Sequence, residues 1–206
     1  MAFNQRQAVA SLSPVILKSI EQVAASSIRL DYDRTAQAVA DLSRLFTKDR
    51  SSLKSDYLNH PAHAAAYLKY FLPVNLSKIQ VLLDEMPQGW PDQLSGRAIR
   101  ILDVGSGPGA GALAAFDWFH QHWPDRIRDL TVVAIDVSAE ALNQARQIWD
   151  TYSRESGATG GRLIAYEGSL ERSSNGPWLK SVDQQAPYEL IIMANCLNEL
   201  FSRTAN

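Results

Sequence analysis

Apolar residues recur every three or four positions across the first ninety residues of this chain: Ile16, Ile20 and Val23, then Val39, Leu42 and Phe46, then Leu76, Ile79, Leu83 and Met86. That rhythm predicts helices, each burying one stripe of its surface. Pro61 and Pro73 are expected to break them, Asn75 is placed to cap the helix after Pro73, and Pro87-Gln88-Gly89-Trp90-Pro91 opens a connector. Near residue 98 the pattern changes. Short β-branched runs at 99–104, 132–135, 163–166 and 190–193 read as strands, and helical patterns at 112–121 and 139–152 separate the first three. Ser138 is an N-cap for the second of these helices, Glu140 suits its first turn, and the Gly- and Ser-rich stretch 153–161 closes it. A β-α-β-α-β order with a fourth strand predicts a parallel, doubly wound α/β sheet. Two regions follow: a helical one over 1–90, and a sheet-bearing one over 98–206.

The chemistry concentrates where the first strand ends. Ile101-Leu102-Asp103-Val104-Gly105-Ser106-Gly107-Pro108-Gly109-Ala110-Gly111 joins a buried strand, an acid and a glycine-rich turn to the start of a helix. Glycines at 105, 107 and 109 permit positive φ and a close approach by a ligand. Amides opening the helix are a natural berth for a carboxylate or phosphate. Gly105, Gly107 and Ala110 satisfy the dinucleotide pattern G-x-G-x-x-G/A. Against a dinucleotide, Pro108 removes a donor from the loop, and Asp103 sets a carboxylate beside it that repels a diphosphate and suits an amine or sulfonium. Asp136, ending the second strand, can accept from both ribose hydroxyls of either ligand. It lies somewhat further from the glycines than the roughly 20 residues usual for dinucleotides. A nicotinamide enzyme remains the rival reading.

The stretch from about Ile99 to Asn198 resembles the class I S-adenosylmethionine-dependent methyltransferases, with Asp103-Val104-Gly105-Ser106-Gly107-Pro108-Gly109 as first motif and Asp136 as ribose acid. The resemblance implies a Rossmann-like fold and S-adenosylmethionine as cofactor. It makes Asp103, Gly105, Ser106, Gly107, Gly109, Asp136, Val137, Ser169, Leu170 and Asn195 cofactor contacts; Ser169 stands where that superfamily commonly has an Asp that reaches the adenine, after a glycine that is here Gly168. A hydroxyl accepts less strongly than a carboxylate. Asn195, just past the fourth strand, falls beside the transferred methyl group, as do Asn198 and Glu199, although helix capping explains these residues equally. A narrower likeness joins Tyr67-Leu68-Lys69-Tyr70-Phe71-Leu72-Pro73-Val74-Asn75 and Ala194-Asn195-Cys196-Leu197-Asn198-Glu199-Leu200 to the methyltransferase-like family of small ribosomal subunit assembly. It implies methyl transfer to rRNA or a small-subunit component, or a non-catalytic assembly role that keeps the pocket. That family tends to carry a metal-binding cysteine cluster, for which Cys196 alone does not suffice.

Sheets of this superfamily usually continue for three more strands, so this one is expected to be truncated after the fourth. The exposed edge would invite a partner strand, self-association, or cover from the N-terminal helices. At 206 residues and 46% hydrophobic content the chain can bury a real core, and a net charge of -2 leaves no autonomous polyanion-binding footprint. The single cysteine permits no internal disulfide and fits a reducing compartment; without a membrane-length apolar run or a signal pattern, the cytoplasm is expected. Gly105-Ser106-Gly107 is not a hydrolase elbow. His60 with His63, and His120 with His122, lack the three or four converging ligands of a zinc site, so no metal is expected. Tyr67, Tyr70 and Phe71 make an aromatic face that could stack on adenine or a flipped base, although at helical spacing such a face is usually core.

Overall fold

The structure, a computed structural model, describes residues 12–27, 31–49, 52, 57–87, 89–94, 97–169 and 176–194. Four parallel strands form one sheet: β1 (Ile99–Val104), β2 (Leu130–Asp136), β3 (Arg162–Glu167) and β4 (Leu190–Ile192). Their spatial order is β3-β2-β1-β4. The Rossmann-like α/β reading of the sequence therefore stands. The order reverses between β1 and β4, and open α/β sheets take ligands at the carboxyl end of such a reversal.

Helices α1 (Pro14–Ser27), α2 (Tyr32–Thr47), α3 (Pro61–Ala66), α4 (Leu72–Asp84) and α5 (Trp90–Gln93) precede the sheet; α6 (Ala110–His122), α7 (Ala139–Ser156) and α8 (Pro177–Asp183) connect its strands. One core joins Ile16, Leu42 and Leu76 of the early helices to Leu113 and Phe116 of α6 and Ile101 and Val132 of the sheet. The N-terminal helices thus pack on α6 and α7. A smaller cluster on the opposite face gathers Val133, Ile135 and Val182 with Trp178 and Tyr188. Among the described residues β4 is an edge strand, and Ile191 on it is 56% exposed.

Local signals explain most boundaries. Ser138 Oγ accepts the Ala141 N–H at 3.2 Å at the start of α7, and Gly157 ends that helix with a left-handed φ of 73°. Pro61 sits in the first turn of α3, where its missing N–H costs nothing. Pro73 is different. The expected break there is absent: helix continues from α3 through a π turn at Tyr67–Phe71 into α4. The Leu72 N–H bonds the Tyr67 carbonyl, and this wider turn carries the chain past a residue that can give no amide bond of its own. Asn75 consequently lies inside α4, not at its cap. It is buried, and its amide donates to the Tyr67 hydroxyl at 3.3 Å.

A buried carboxylate pins the helical layer to the α/β unit. Asp117 of α6 is fully buried and accepts from Gln80 of α4 at 2.8 Å, Gln121 at 2.9 Å and the Tyr152 hydroxyl of α7 at 2.7 Å. The Ser13 hydroxyl and amide, just before α1, donate to it as well. A buried charge is tolerated only when so surrounded. Among the described residues no helix is long and apolar enough to cross a membrane.

Candidate functional site

The turn after β1 carries three left-handed glycines, Gly105 at φ 67°, Gly107 at 53° and Gly109 at 92°. Their neighbours show what each is for. A Cβ on Gly109 would fall 2.9 Å from the Ala145 Cβ, and one on Gly111 only 2.3 Å from Asp103 Oδ1, so both are demanded by internal packing. Among the described residues, a Cβ on Gly107 would have only the Tyr67 hydroxyl within 4 Å, at 4.0 Å. Gly107 is itself buried, with room left only where a Cβ would stand. Unlike Gly109 and Gly111, it is not demanded by internal packing.

Asp103 lies beneath this turn. It is 1% exposed, and its Oδ2 accepts from Ser106 Oγ at 2.5 Å and from the Ala112 N–H at 2.8 Å. Burial pushes its carboxyl up to about 6, with repulsion from Asp136 adding to the rise and the bonds from Ser106, Ala112 and Gly111 opposing it. The carboxylate therefore braces the start of α6 from within.

The amides of that helix start are correspondingly engaged. Ser106 N–H bonds the Ile135 carbonyl, Gly109 and Ala110 N–H bond the Ser106 carbonyl, and Leu113 N–H bonds Gly109. Gly107 N–H goes to Asp136 Oδ2, Gly111 and Ala112 serve Asp103, and Pro108 has none to give. The anion berth expected at this helix is thus filled from inside the protein. A diphosphate would find no unpaired donor between residues 106 and 113.

Asp136, ending β2, is the junction of three strand tips. Its Oδ2 accepts from Gly107 at 2.7 Å, its Oδ1 from Ser138 N–H at 2.9 Å, and its carbonyl from Gly168 N–H at 2.9 Å. It is half-buried, and burial raises its pKa despite those bonds. The Val137 N–H donates to the carboxylate as well, so three amides share its four lone pairs and some acceptor capacity remains. The two acids act on one another across the turn, and Asp136 is the one partly open to solvent.

The remaining candidates divide by position. Val137 is 44% exposed beside Asp136, and Ser169 is half-buried just beyond β3. Leu170, Asn195, Cys196, Asn198 and Glu199 lie outside the described residues. His120 and His122 occupy the last turn of α6, where Nδ1 of His120 meets the Tyr152 hydroxyl at 3.0 Å and Nδ1 of His122 meets the Trp118 carbonyl at 2.8 Å. Among the described residues no group of three or more His, Cys, Asp or Glu is placed to hold a metal.

Two aromatic residues also border the turn and the strand tips. Tyr67 is buried as a core residue should be, whereas Tyr70 is 52% exposed; the Tyr67 hydroxyl reaches the glycine turn, held by Asn75 two helical turns further on. Trp178 of α8 covers Gly168: a Cβ there would fall 2.6 Å from the indole. No pattern in the sequence links these two residues.

Comparison of the chain with protein-family models and with curated proteins gives no match. The class the fold and site define is a Rossmann-like α/β unit whose glycine turn and β2 acid meet at the carboxyl end of a parallel sheet.

Proposed function

We propose that this chain binds S-adenosylmethionine at the Gly107 turn and directs its methyl group to rRNA or another component of the small ribosomal subunit. One observation carries the choice of ligand. The amides at the start of α6 are already paired, whereas Asp136 is partly exposed and keeps spare acceptor capacity next to Gly107, where a Cβ would meet no atom closer than 4.0 Å. This arrangement favours a ligand read through hydroxyl groups and positive charge over one read through a diphosphate, and it weighs against a nicotinamide dinucleotide.

Each residue then has a defined role. Asp136 accepts the ribose hydroxyls, and Gly107 lets the ligand lie against main chain. Asp103 stays under the turn and holds its shape through Ser106 and Ala112. The cofactor supplies an electrophilic methyl carbon on a sulfonium when bound. Displacement at that carbon is in line, so positioning an acceptor lone pair provides much of the acceleration and no dedicated base is required. The ribosomal acceptor rests on the sequence resemblance alone.

Incubating the chain with methyl-labelled S-adenosylmethionine and small ribosomal subunits tests this reading. Label is expected in subunit RNA or protein. A chain that binds the cofactor but labels no ribosomal component is an assembly factor, and the transferase reading is then wrong.

A further inference from the structure

The far edge of the sheet, remote in sequence from the glycine turn, carries a second feature. Among the described residues β3 pairs only with β2, so its other side is open. A groove of about 380 Å³ runs along it, lined by Arg146, Trp149 and Asp150 of α7 and by Arg162, Leu163 and Ile164 of the strand. Leu163 packs towards the α6 and α7 side, Ile164 towards the α8 side. Side chains alternate across a strand, so Arg162 shares the face of Ile164 and the groove straddles the edge between both faces.

Its charge is one-sided. Arg146 and Arg162 are exposed, and neither is in an ion pair among the described residues. Arg128 stands close by, its Cγ 2.7 Å from where a Cβ on Gly160 would fall. Asp150 is the one acid in the lining. Arg146 also covers the strand edge, where its Nη2 donates to the Ala165 carbonyl of β3 at 2.9 Å. Open edge carbonyls invite strand addition, and a charged side chain laid over one guards against it.

We infer that this edge is a docking site for an extended acidic peptide, which adds to the sheet as a strand beside β3. The main chain of the peptide pairs with the open edge. Two adjacent acidic residues point to opposite faces, one reaching Arg146 from α7 and the next reaching Arg162. Arg146 exchanges the Ala165 carbonyl for a carboxylate, a charge-assisted bond in place of a bond to a neutral acceptor. Acidic segments therefore release the guard and neutral ones do not.

Fluorescence anisotropy with the full chain tests the proposal, using a fluorescein-labelled peptide of about eight residues, Val and Thr around a central Glu-Glu pair. Binding is expected, and it should weaken by about tenfold or more in Arg162→Glu. Methylating alternate backbone nitrogens of the peptide should abolish it, as should replacing Glu-Glu by Lys-Lys. Arg146→Ala should weaken the acidic peptide while strengthening a Gln-Gln version, a crossing that only a guard produces. Arg162→Gln, with a native circular dichroism spectrum, serves if Arg162→Glu does not fold, and a several-fold loss is expected there. Equal binding of the N-methylated or Lys-Lys peptide overturns the inference. So does unchanged affinity in the folded Arg162 variant, or preference of the same arginines for a single-stranded oligonucleotide.

Discussion

Gly111 and Gly107 belong to one motif, and alanine at each should fail in a different way. A Cβ at 111 falls 2.3 Å from Asp103 Oδ1, 2.6 Å from its Cγ and 2.9 Å from Oδ2, well inside the roughly 3.5 Å at which such atoms rest. The carboxylate cannot retreat, being 1% exposed and bonded to Ser106 and Ala112. Overpacking of this kind costs about 1–3 kcal/mol, and each charge-assisted bond lost costs about 1.5–3 kcal/mol more. Gly111→Ala should therefore lose about 3–5 kcal/mol, a large share of the ~5–15 kcal/mol that holds a domain together. At 107 the nearest neighbour of a Cβ is the Tyr67 hydroxyl at 4.0 Å, so only the left-handed φ of 53° is costly, at about 1–2 kcal/mol. Its methyl group nonetheless stands where the proposed ligand would lie. Urea unfolding followed by circular dichroism measures the first quantity, and calorimetric titration of S-adenosylmethionine the second. Gly111→Ala with wild-type stability refutes the packing argument; Gly107→Ala with wild-type affinity refutes the placement of the ligand.

Three further outcomes follow from the same geometry. Asp103 holds its proton more tightly when folded, its pKa rising from 3.8 to about 6; stability is therefore greatest below the unfolded value and falls through that interval as pH rises, by about 3 kcal/mol. Asp103→Asn should flatten that slope in unfolding experiments between acid and neutral pH, leaving the smaller contribution of Asp136, and an unaltered slope counts against it. Asp136→Ala should weaken cofactor binding by about 1–3 kcal/mol, whereas unchanged affinity places the ribose elsewhere. Asp117→Ala strands the donors of Ser13, Gln80, Gln121 and Tyr152 and should cost about 3 kcal/mol or more; hydrogen exchange should quicken in α1 and α4 together, and unchanged protection there refutes the pinning role.

Much of this architecture was legible because two periods and a few caps specify it. The β-branched runs at β1 and β2 have no helical stripe, and Ser138 and Gly157 mark the ends of α7 by their own chemistry. Pro73 misled because proline reports a lost amide bond, while the π turn that accommodates it depends on how the helix packs. The candidate site was legible as a set of residues, less so as an arrangement. Asp103, Gly107 and Asp136 announce themselves in sequence, but which carboxylate is buried, and which amides are taken, depends on contacts that cross from β1 to α6 and β2. Tyr67 reads as core and is core; only folding brings its hydroxyl to Gly107. The Asp117 hub draws on four separate segments, and no local pattern links them.

Calorimetric titration of the chain with S-adenosylmethionine, S-adenosylhomocysteine and NAD, repeated with Asp136→Ala, bears most directly on the ligand. Saturable binding of both adenosyl sulfur compounds, weakened by the substitution, with no heat from NAD, is the expected result. Binding of NAD without binding of S-adenosylmethionine contradicts it.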